Sequence, residues 1–362
     1  MQFCLSPNLG GLELYFYRLS KYLNSKTKVT MIVNKKSDII DRLTSSNIEY
    51  YDFERKSTLG VLFKAKKIAK IIDNNKIDII HIHWTKDIPL AVLSRLLSKR
   101  KPKLVQTRHM AMTRFKNDFY HKFLYKNIDT IIAVTDEVKD QISKYITNEF
   151  RPKTIRSYIG AEKINKIDLE KHSELSKKYI IENNFTIGIF GRIEKEKGQY
   201  LLIEAIEKLR ANKLNIKVLI VGHAMSEEYL NELKEYIKKF ELQDKIVFTG
   251  FTNEVQNIMQ ICDLVVLATN KETFGLVLIE AMQAGIAVLA SNKGGPTEII
   301  DDKVDGLLFK SMDIEDLTAK INYLYNNKNE KNILAKQGQK KAEEKFNDLV
   351  QFAEIYKILE KI

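Results

Sequence analysis

The sequence predicts an α/β protein built of two doubly wound parallel-sheet domains. Three observations lead there. Short apolar runs alternate with helix-period patterns from one end of the chain to the other, the pattern of parallel strands joined by crossover helices. The 362 residues are too many for one typical domain and suit two, each large enough to bury a core. Midway, residues 161–181 are polar and carry no strand pattern, which marks a junction.

Taken in order, the strand-like runs of the first half fall at 2–6, 28–33, 48–53, 77–82, 103–107, 129–134 and 153–158. Helical patterns at 12–23, 59–73 and 88–97 lie between some of them. In the second half the strand runs are 185–190, 216–221, 245–249, 263–268 and 286–290. The closing stretch places Phe346, Leu349, Val350, Ala353, Tyr356 and Ile358 on an amphipathic helical stripe. The expected layout is one Rossmann-like domain at 1–163 and a second at 164–345. A helix at 346–362 is expected to pack back toward the first domain.

Composition narrows the classes. No run of about 18 apolar residues is present to span a bilayer. The start, MQFCLSPNLGG, lacks the basic and long apolar regions of a secretory signal. Cys4 and Cys262 sit in apolar runs and read as buried thiols. A cytoplasmic protein is expected. The net charge of +12 is lopsided: residues 1–163 hold 31 Lys+Arg against 16 Asp+Glu, and the rest 28 against 31. An anionic partner for the first half would explain that, and so would lysines decorating solvated faces.

In doubly wound sheets ligands bind beyond the carboxyl ends of the strands, so the strand-to-helix loops carry the chemistry. Asn8-Leu9-Gly10-Gly11 precedes the first helix, where glycines admit close approach and N–H groups attract phosphate. A tight turn alone would look the same, and no G-x-G-x-x-G follows. The loop 191–198, GRIEKEKG, sets Arg192 and Lys197 between two glycines at a helix start, in outline a diphosphate site. A third loop, Glu272-Thr273-Phe274-Gly275, opens a helix. Four residues from both Leu276 and Ala284, Glu280 falls on their face, expected to point inward, where it would need hydroxyl or N–H partners. An internal cap or salt bridge would satisfy it as well as a ribose would.

Arg192 with Lys197, then Glu272 followed after seven residues by Glu280, resembles the retaining glycosyltransferases of family 4, which have the GT-B fold. The surroundings agree: ETFGLVLIEAMQAG, then Gly294-Gly295-Pro296-Thr297-Glu298, and Gly10-Gly11-Leu12-Glu13 near the start. The likeness covers nearly the whole chain and departs where the usual Ala before Glu is Leu12. It implies two Rossmann-like domains facing across a cleft. Arg192 and Lys197 would bind the donor diphosphate, helped by backbone N–H groups of Phe274 and Gly275, with Gly11 closing the site from the other domain. Glu272 would contact the transferred sugar, Glu280 the ribose, and His109, after the strand at 103–107, would stand near the reaction centre on the acceptor side.

His81 and His83 share a strand face by the period of two, and His83 with Trp84 is expected to line the acceptor cleft. No metal site is expected, because no Cys or carboxylate cluster joins the histidines. The resemblance implies sugar transfer with retained configuration from a UDP- or GDP-linked sugar, without a cofactor, to a glycan or lipid-linked acceptor in surface-polysaccharide or lipopolysaccharide synthesis. A nucleotide-sugar epimerase on the same fold and a non-catalytic membrane-associated binding partner are the rival readings. Nucleic acid would account for the basic half but for none of the second-half motifs, so no nucleic-acid partner is expected. Lys64, Lys66, Lys67 and Lys70 in 59–73, and the aromatics with Arg114, Lys116, Lys122 and Lys126 in 114–126, suggest docking on an anionic membrane face.

Overall fold

The structure, a computed structural model, describes residues 1–8, 10–54 and 60–362; Leu9 of the first glycine loop and the start of the expected helix 59–73 lie outside them. The chain forms two compact units: Met1–Ile159 with Leu349–Ile362, and Gly160–Asp348.

The first unit runs β1 (Gln2–Cys4), α1 (Gly11–Asn24), β2 (Thr30–Asn34), α2 (Ile39–Thr44), β3 (Glu49–Phe53), α3 (Val61–Asn74), β4 (Ile79–Ile82), α4 (Ile88–Leu97), β5 (Lys103–Arg108), α5 (Phe119–Lys126), β6 (Thr130–Ala133), α6 (Asp136–Tyr145) and β7 (Lys153–Arg156). The strands form one sheet in the order β3-β2-β1-β4-β5-β6-β7, every pair parallel. Parallel strands with helices on both faces read as continuous apolar runs; here Phe3, Ile32, Ile80, Ile82, Leu104, Ile131 and Ile132 are fully buried. Helix starts follow the capping chemistry of the sequence: Asp118 accepts from His121 N–H and Thr135 from Val138 N–H.

The second unit runs α7 (Leu169–Tyr179), β8 (Phe185–Phe190), α8 (Gln199–Leu209), β9 (Ile216–Val221), α9 (Glu227–Lys239), β10 (Ile246–Gly250), α10 (Val255–Gln260), β11 (Leu264–Leu267), α11 (Leu276–Gln283), β12 (Ala287–Ser291), α12 (Pro296–Ile299), β13 (Leu307–Phe309), α13 (Ile314–Asn326) and α14 (Lys328–Lys345). Its all-parallel sheet has the order β10-β9-β8-β11-β12-β13. The core gathers Ile187, Ile203, Ile206, Val218, Leu233, Leu264, Leu289, Leu317 and Leu324.

Several strands are shorter than their apolar runs. β1 stops at Cys4 because side chains take over the backbone of Leu5: its N–H donates to Asp87 Oδ2 (2.8 Å) and its carbonyl accepts from Asn34 Nδ2 (2.9 Å). The edge strand β13, three residues long, has no counterpart among the expected strands. The last helix, α15 (Asp348–Glu360), buries Phe352, Ile355 and Leu359 but exposes Leu349 and Val350. The expected stripe is therefore rotated, its buried line running through Phe352, Ile355 and Leu359.

Candidate active site

Where the strand order of a doubly wound sheet reverses, successive helices leave for opposite faces and a crevice opens beyond the strand ends. In the second unit the reversal lies between β8 and β11, and the loops after these two strands carry Arg192, Lys197, Glu272, Phe274 and Gly275.

The loop after β8 lies along the loop after β9. Gly191 N–H donates to the Val221 carbonyl and Ile193 N–H to the His223 carbonyl, each at 2.9 Å. Gly222 makes this approach possible, because at φ +144° a Cβ there would stand 1.9 Å from the Gly191 oxygen. Arg192 is anchored through its own carbonyl, which accepts from Gln199 Nε2 at 2.9 Å. Its side chain is 54% exposed and meets Glu194 at 2.8 Å. Gly198, at φ +73°, lets α8 start hard against Ala268 just past β11.

The loop after β11 is clamped in turn. Ser291 Oγ donates to the Thr269 carbonyl at 2.5 Å, and Gly295 N–H donates to the Glu272 carbonyl at 3.0 Å. A Cβ on Gly295 would fall 2.2 Å from the Phe274 oxygen. Phe274 is buried, its ring edge-on to Phe346 with centroids 6.3 Å apart. Gly275, at φ +106°, opens α11 with no side-chain cap, and its carbonyl accepts from the first-turn Leu278 N–H at 2.9 Å. Lys197 Nζ reaches Glu272 Oε2 at 2.9 Å and ties the two loops together, both side chains mostly buried.

Glu280 departs from expectation. The core face of α11 is formed by Leu278, Ile279, Ala281 and Met282. Glu280 is half-buried on the side it shares with Leu276 and Ala284, so that side is not inward. A helix reading LVLIEAMQ has almost no polar contrast to show which way it turns.

In the first unit the order reverses between β1 and β4. Gly11 is the exposed first residue of α1, and Gly10 N–H donates to the buried Glu13 at 2.9 Å, the one half of a capping box that a glycine N-cap allows. Register pairs Gln2 with His81 and His81 with Val105, which puts Gln2, His81, His83, Thr107 and His109 along one face by the period of two. His81 Nε2 lies 2.7 Å from Thr107 Oγ1, His83 Nε2 lies 2.8 Å from Gln2 Oε1, and His83 Nδ1 lies 3.4 Å from His109 Nε2. Tyr15 and Phe16 of α1 pack their rings on His83, and Tyr15 also meets His109. Burial holds all three imidazoles neutral: His81 and His109 are pushed down to about 3, and His83 well below the usual value. Trp84, half-exposed, carries Lys86 Nζ over its ring at 5.2 Å. Arg108 ends β5 buried and donates from Nη2 to the Ala111 carbonyl at 3.1 Å, so it moors the loop that follows His109.

Sequence reasoning missed Gln2, Gln199 and Gly222. Gly222 directly follows an apolar strand run, which is a readable sign; the two glutamines look like any polar residue at a strand or helix start. Among the described residues no group of three or more His, Cys, Asp or Glu is arranged to hold a metal.

Residues 171–341 match the family described as Glycosyl transferases group 1, and residues 2–135 that described as Glycosyl transferase 4-like. An uncharacterised glycosyltransferase of Methanocaldococcus jannaschii is 26% identical over 342 residues, covering 92% of this chain and 90% of the relative. The UDP-Gal:alpha-D-GlcNAc-diphosphoundecaprenol alpha-1,3-galactosyltransferase of Escherichia coli is 24% identical, covering 95% and 92%. Alignments to several other curated relatives span between 60% and 64% of those proteins. In three dimensions the Anabaena protein HepE, crystallised with UDP, superposes with a TM-score of 0.86 at 22% identity, covering 100% of this chain and 99% of that one. That likeness extends to the fold, two Rossmann-like domains of the GT-B type. A 4-like domain followed by a group 1 domain makes this chain a member of the glycosyltransferases.

Proposed function

We propose that the protein is a retaining, metal-independent glycosyltransferase that takes its sugar from a UDP- or GDP-linked donor and passes it to a glycan or lipid-linked acceptor. One observation carries the donor assignment: Arg192 and Lys197 stand on the β8 side of the second unit's switch point, and Lys197 is paired across it with Glu272 of the loop after β11. Each cation meets a carboxylate, chemically a stand-in for a phosphate oxygen. A diphosphate takes over both cations, with α11 adding its first-turn N–H groups. Charge developing on the leaving diphosphate then meets preorganised cations, which is how a site does this work with no divalent ion. Released from Lys197, Glu272 accepts hydrogen bonds from sugar hydroxyls, and half-buried Glu280 those of the ribose. The E. coli relative, whose name specifies a UDP-galactose donor and a diphosphoundecaprenol-linked acceptor, supports both halves of the reading. Retention rests on the family resemblance.

The test is incubation with UDP-, GDP- and ADP-sugars, with and without a polyprenyl-diphosphate-linked sugar acceptor, in EDTA. Transfer from one donor with release of its nucleoside diphosphate is expected; isomerised donor without acceptor would replace this reading with epimerisation.

The acceptor-side unit supports placement at the inner face of the cell membrane and a role in surface-polysaccharide or lipopolysaccharide synthesis. On α3, Ala65, Ile68, Ala69 and Ile72 are buried, whereas Leu62, Phe63, Lys66, Lys67 and Lys70 are exposed. Near α5, Phe115, Phe119 (88% exposed), Tyr120 and Phe123 face outward among Arg114 and Lys126. Exposed aromatics amid lysines suit an anionic lipid surface. No helix among the described residues is long and apolar enough to cross a membrane. Flotation with vesicles of rising anionic-lipid content should capture more protein, less so at high salt. Absence of capture by strongly anionic vesicles at low salt would remove the membrane from the account.

A further inference from the structure

We infer that Gln2 and His83 are positioning residues that set the tautomer of His109, so that its ring proton sits on Nε2 and its bare nitrogen is Nδ1. The inference rests on the reading above only in giving His109 a place on the acceptor side.

The argument runs through single protons. The Gln2 carboxamide oxygen can only accept, and it lies 2.8 Å from His83 Nε2, so that nitrogen must donate. Burial keeps the His83 ring neutral, and a neutral imidazole has one proton. His83 Nδ1 is therefore bare. It lies 3.4 Å from His109 Nε2, which must then be the donor. His109 is itself neutral, and its one remaining ring nitrogen, Nδ1, is left to accept. A hydroxyl of an acceptor could hand its proton to that nitrogen; a ring in the opposite tautomer would meet it with N–H.

The surroundings hold this chain of bonds in place. Gln2 is fixed on β1 opposite His81 of β4 by parallel register, and His83 follows β4 directly. The His83 and His109 rings are stacked, 28° apart in plane with centroids at 5.7 Å. Tyr15, fully buried, lies edge-on to His109, its centroid at 5.1 Å. His81 takes no part: its Nε2 is engaged by Thr107, and its Nδ1 has no partner. Buried polar groups in an apolar layer are costly unless paired, and a pairing that relays one proton position toward a strand end gives this layer a use.

The experiment is long-range 1H–15N correlation on full-length, histidine-labelled protein at neutral pH, with His109→Asn and His83→Asn assigning the resonances by loss. In the unmodified protein both His83 and His109 should show pyrrole-type Nε2 and pyridine-type Nδ1. Gln2→Leu removes the acceptor, so His83 and His109 should both move toward the Nδ1–H form; Gln2→Glu, still an acceptor, should keep the original pattern. A pyrrole-type Nδ1 on His109 in the unmodified protein overturns the inference, and this reading stands even where Gln2→Leu fails to fold. An unchanged His109 pattern in folded Gln2→Leu also overturns it. Transfer assays keep the two layers apart. A tenfold or greater fall in kcat (~10-fold) for Gln2→Leu with unchanged donor KM, reversed in Gln2→Glu, is expected if His109 serves the acceptor. The expected tautomers with full transfer by His109→Ala would leave the relay standing and remove the acceptor-side role.

Discussion

The two switch points of this protein use opposite electrostatics. In the second unit the crevice between β8 and β11 is lined by charge: Arg192 half-exposed beside Glu194, and Lys197 held by Glu272. In the first, the place between β1 and β4 is lined by neutral imidazoles, His83 buried and His109 half-buried, and a carboxamide. The fold is shared, so the difference comes from the side chains set at the strand ends. Cations on glycine-shaped loops, Arg192 exposed and Lys197 mostly buried, suit a ligand that brings its own negative charge and leaves with more of it. Desolvated neutral rings suit the orientation of a hydroxyl whose proton must go somewhere defined.

The largest effect that would break this contrast is on the charged side. Lys197→Ala and Glu272→Gln should each lower transfer by about 10²–10³ with saturating donor, while circular dichroism stays unchanged. Near-normal rates in both would take the donor site away from the β8–β11 crevice.

A smaller effect sharpens the neutral side. His81 and His109 ionise near 3 when folded and near 6.5 when not, so between those values the unfolded chain binds more protons and stability falls as pH drops. Above pH 6.5 their contribution is fully present. Each histidine held neutral contributes a slope of about 1.4 kcal/mol per pH unit in that window. The single tryptophan, Trp84, stands in the first unit, so urea unfolding followed by its fluorescence reports that unit. The midpoint should drop from pH 6.5 toward 4, and less steeply in His81→Asn. A flat profile in the unmodified protein would mean that the imidazoles are not desolvated as described.

Much of the charged site is legible in the sequence, and little of the neutral one is. Gly191, Gly198, Gly275 and Gly295 stand beside Arg192, Lys197 and Glu272 at strand ends, where local spacing alone marks a loop. The strand runs are legible too, because fully buried parallel strands are uninterrupted apolar stretches. Strand ends are less so, as at β1, where Asp87 and Asn34 reach in from distant sequence. The importance of Gln2 depends on the register of β1 against β4, about eighty residues away, and no local pattern reports such a pairing. The face on which Glu280 lies is not legible because α11 is apolar nearly all round, and β13 is not because three residues at a sheet edge make no period.

The central claim, that the nucleoside diphosphate is held mainly by the charged switch point, is tested most directly by calorimetric titration in EDTA. UDP and GDP would be titrated into the unmodified protein, Lys197→Ala and His109→Ala. The account predicts that the favoured nucleotide binds without divalent metal, weakens at least ~10-fold in Lys197→Ala through loss of a charge-assisted contact, and changes less than about threefold in His109→Ala. Affinity unchanged in Lys197→Ala but lost in His109→Ala would contradict it.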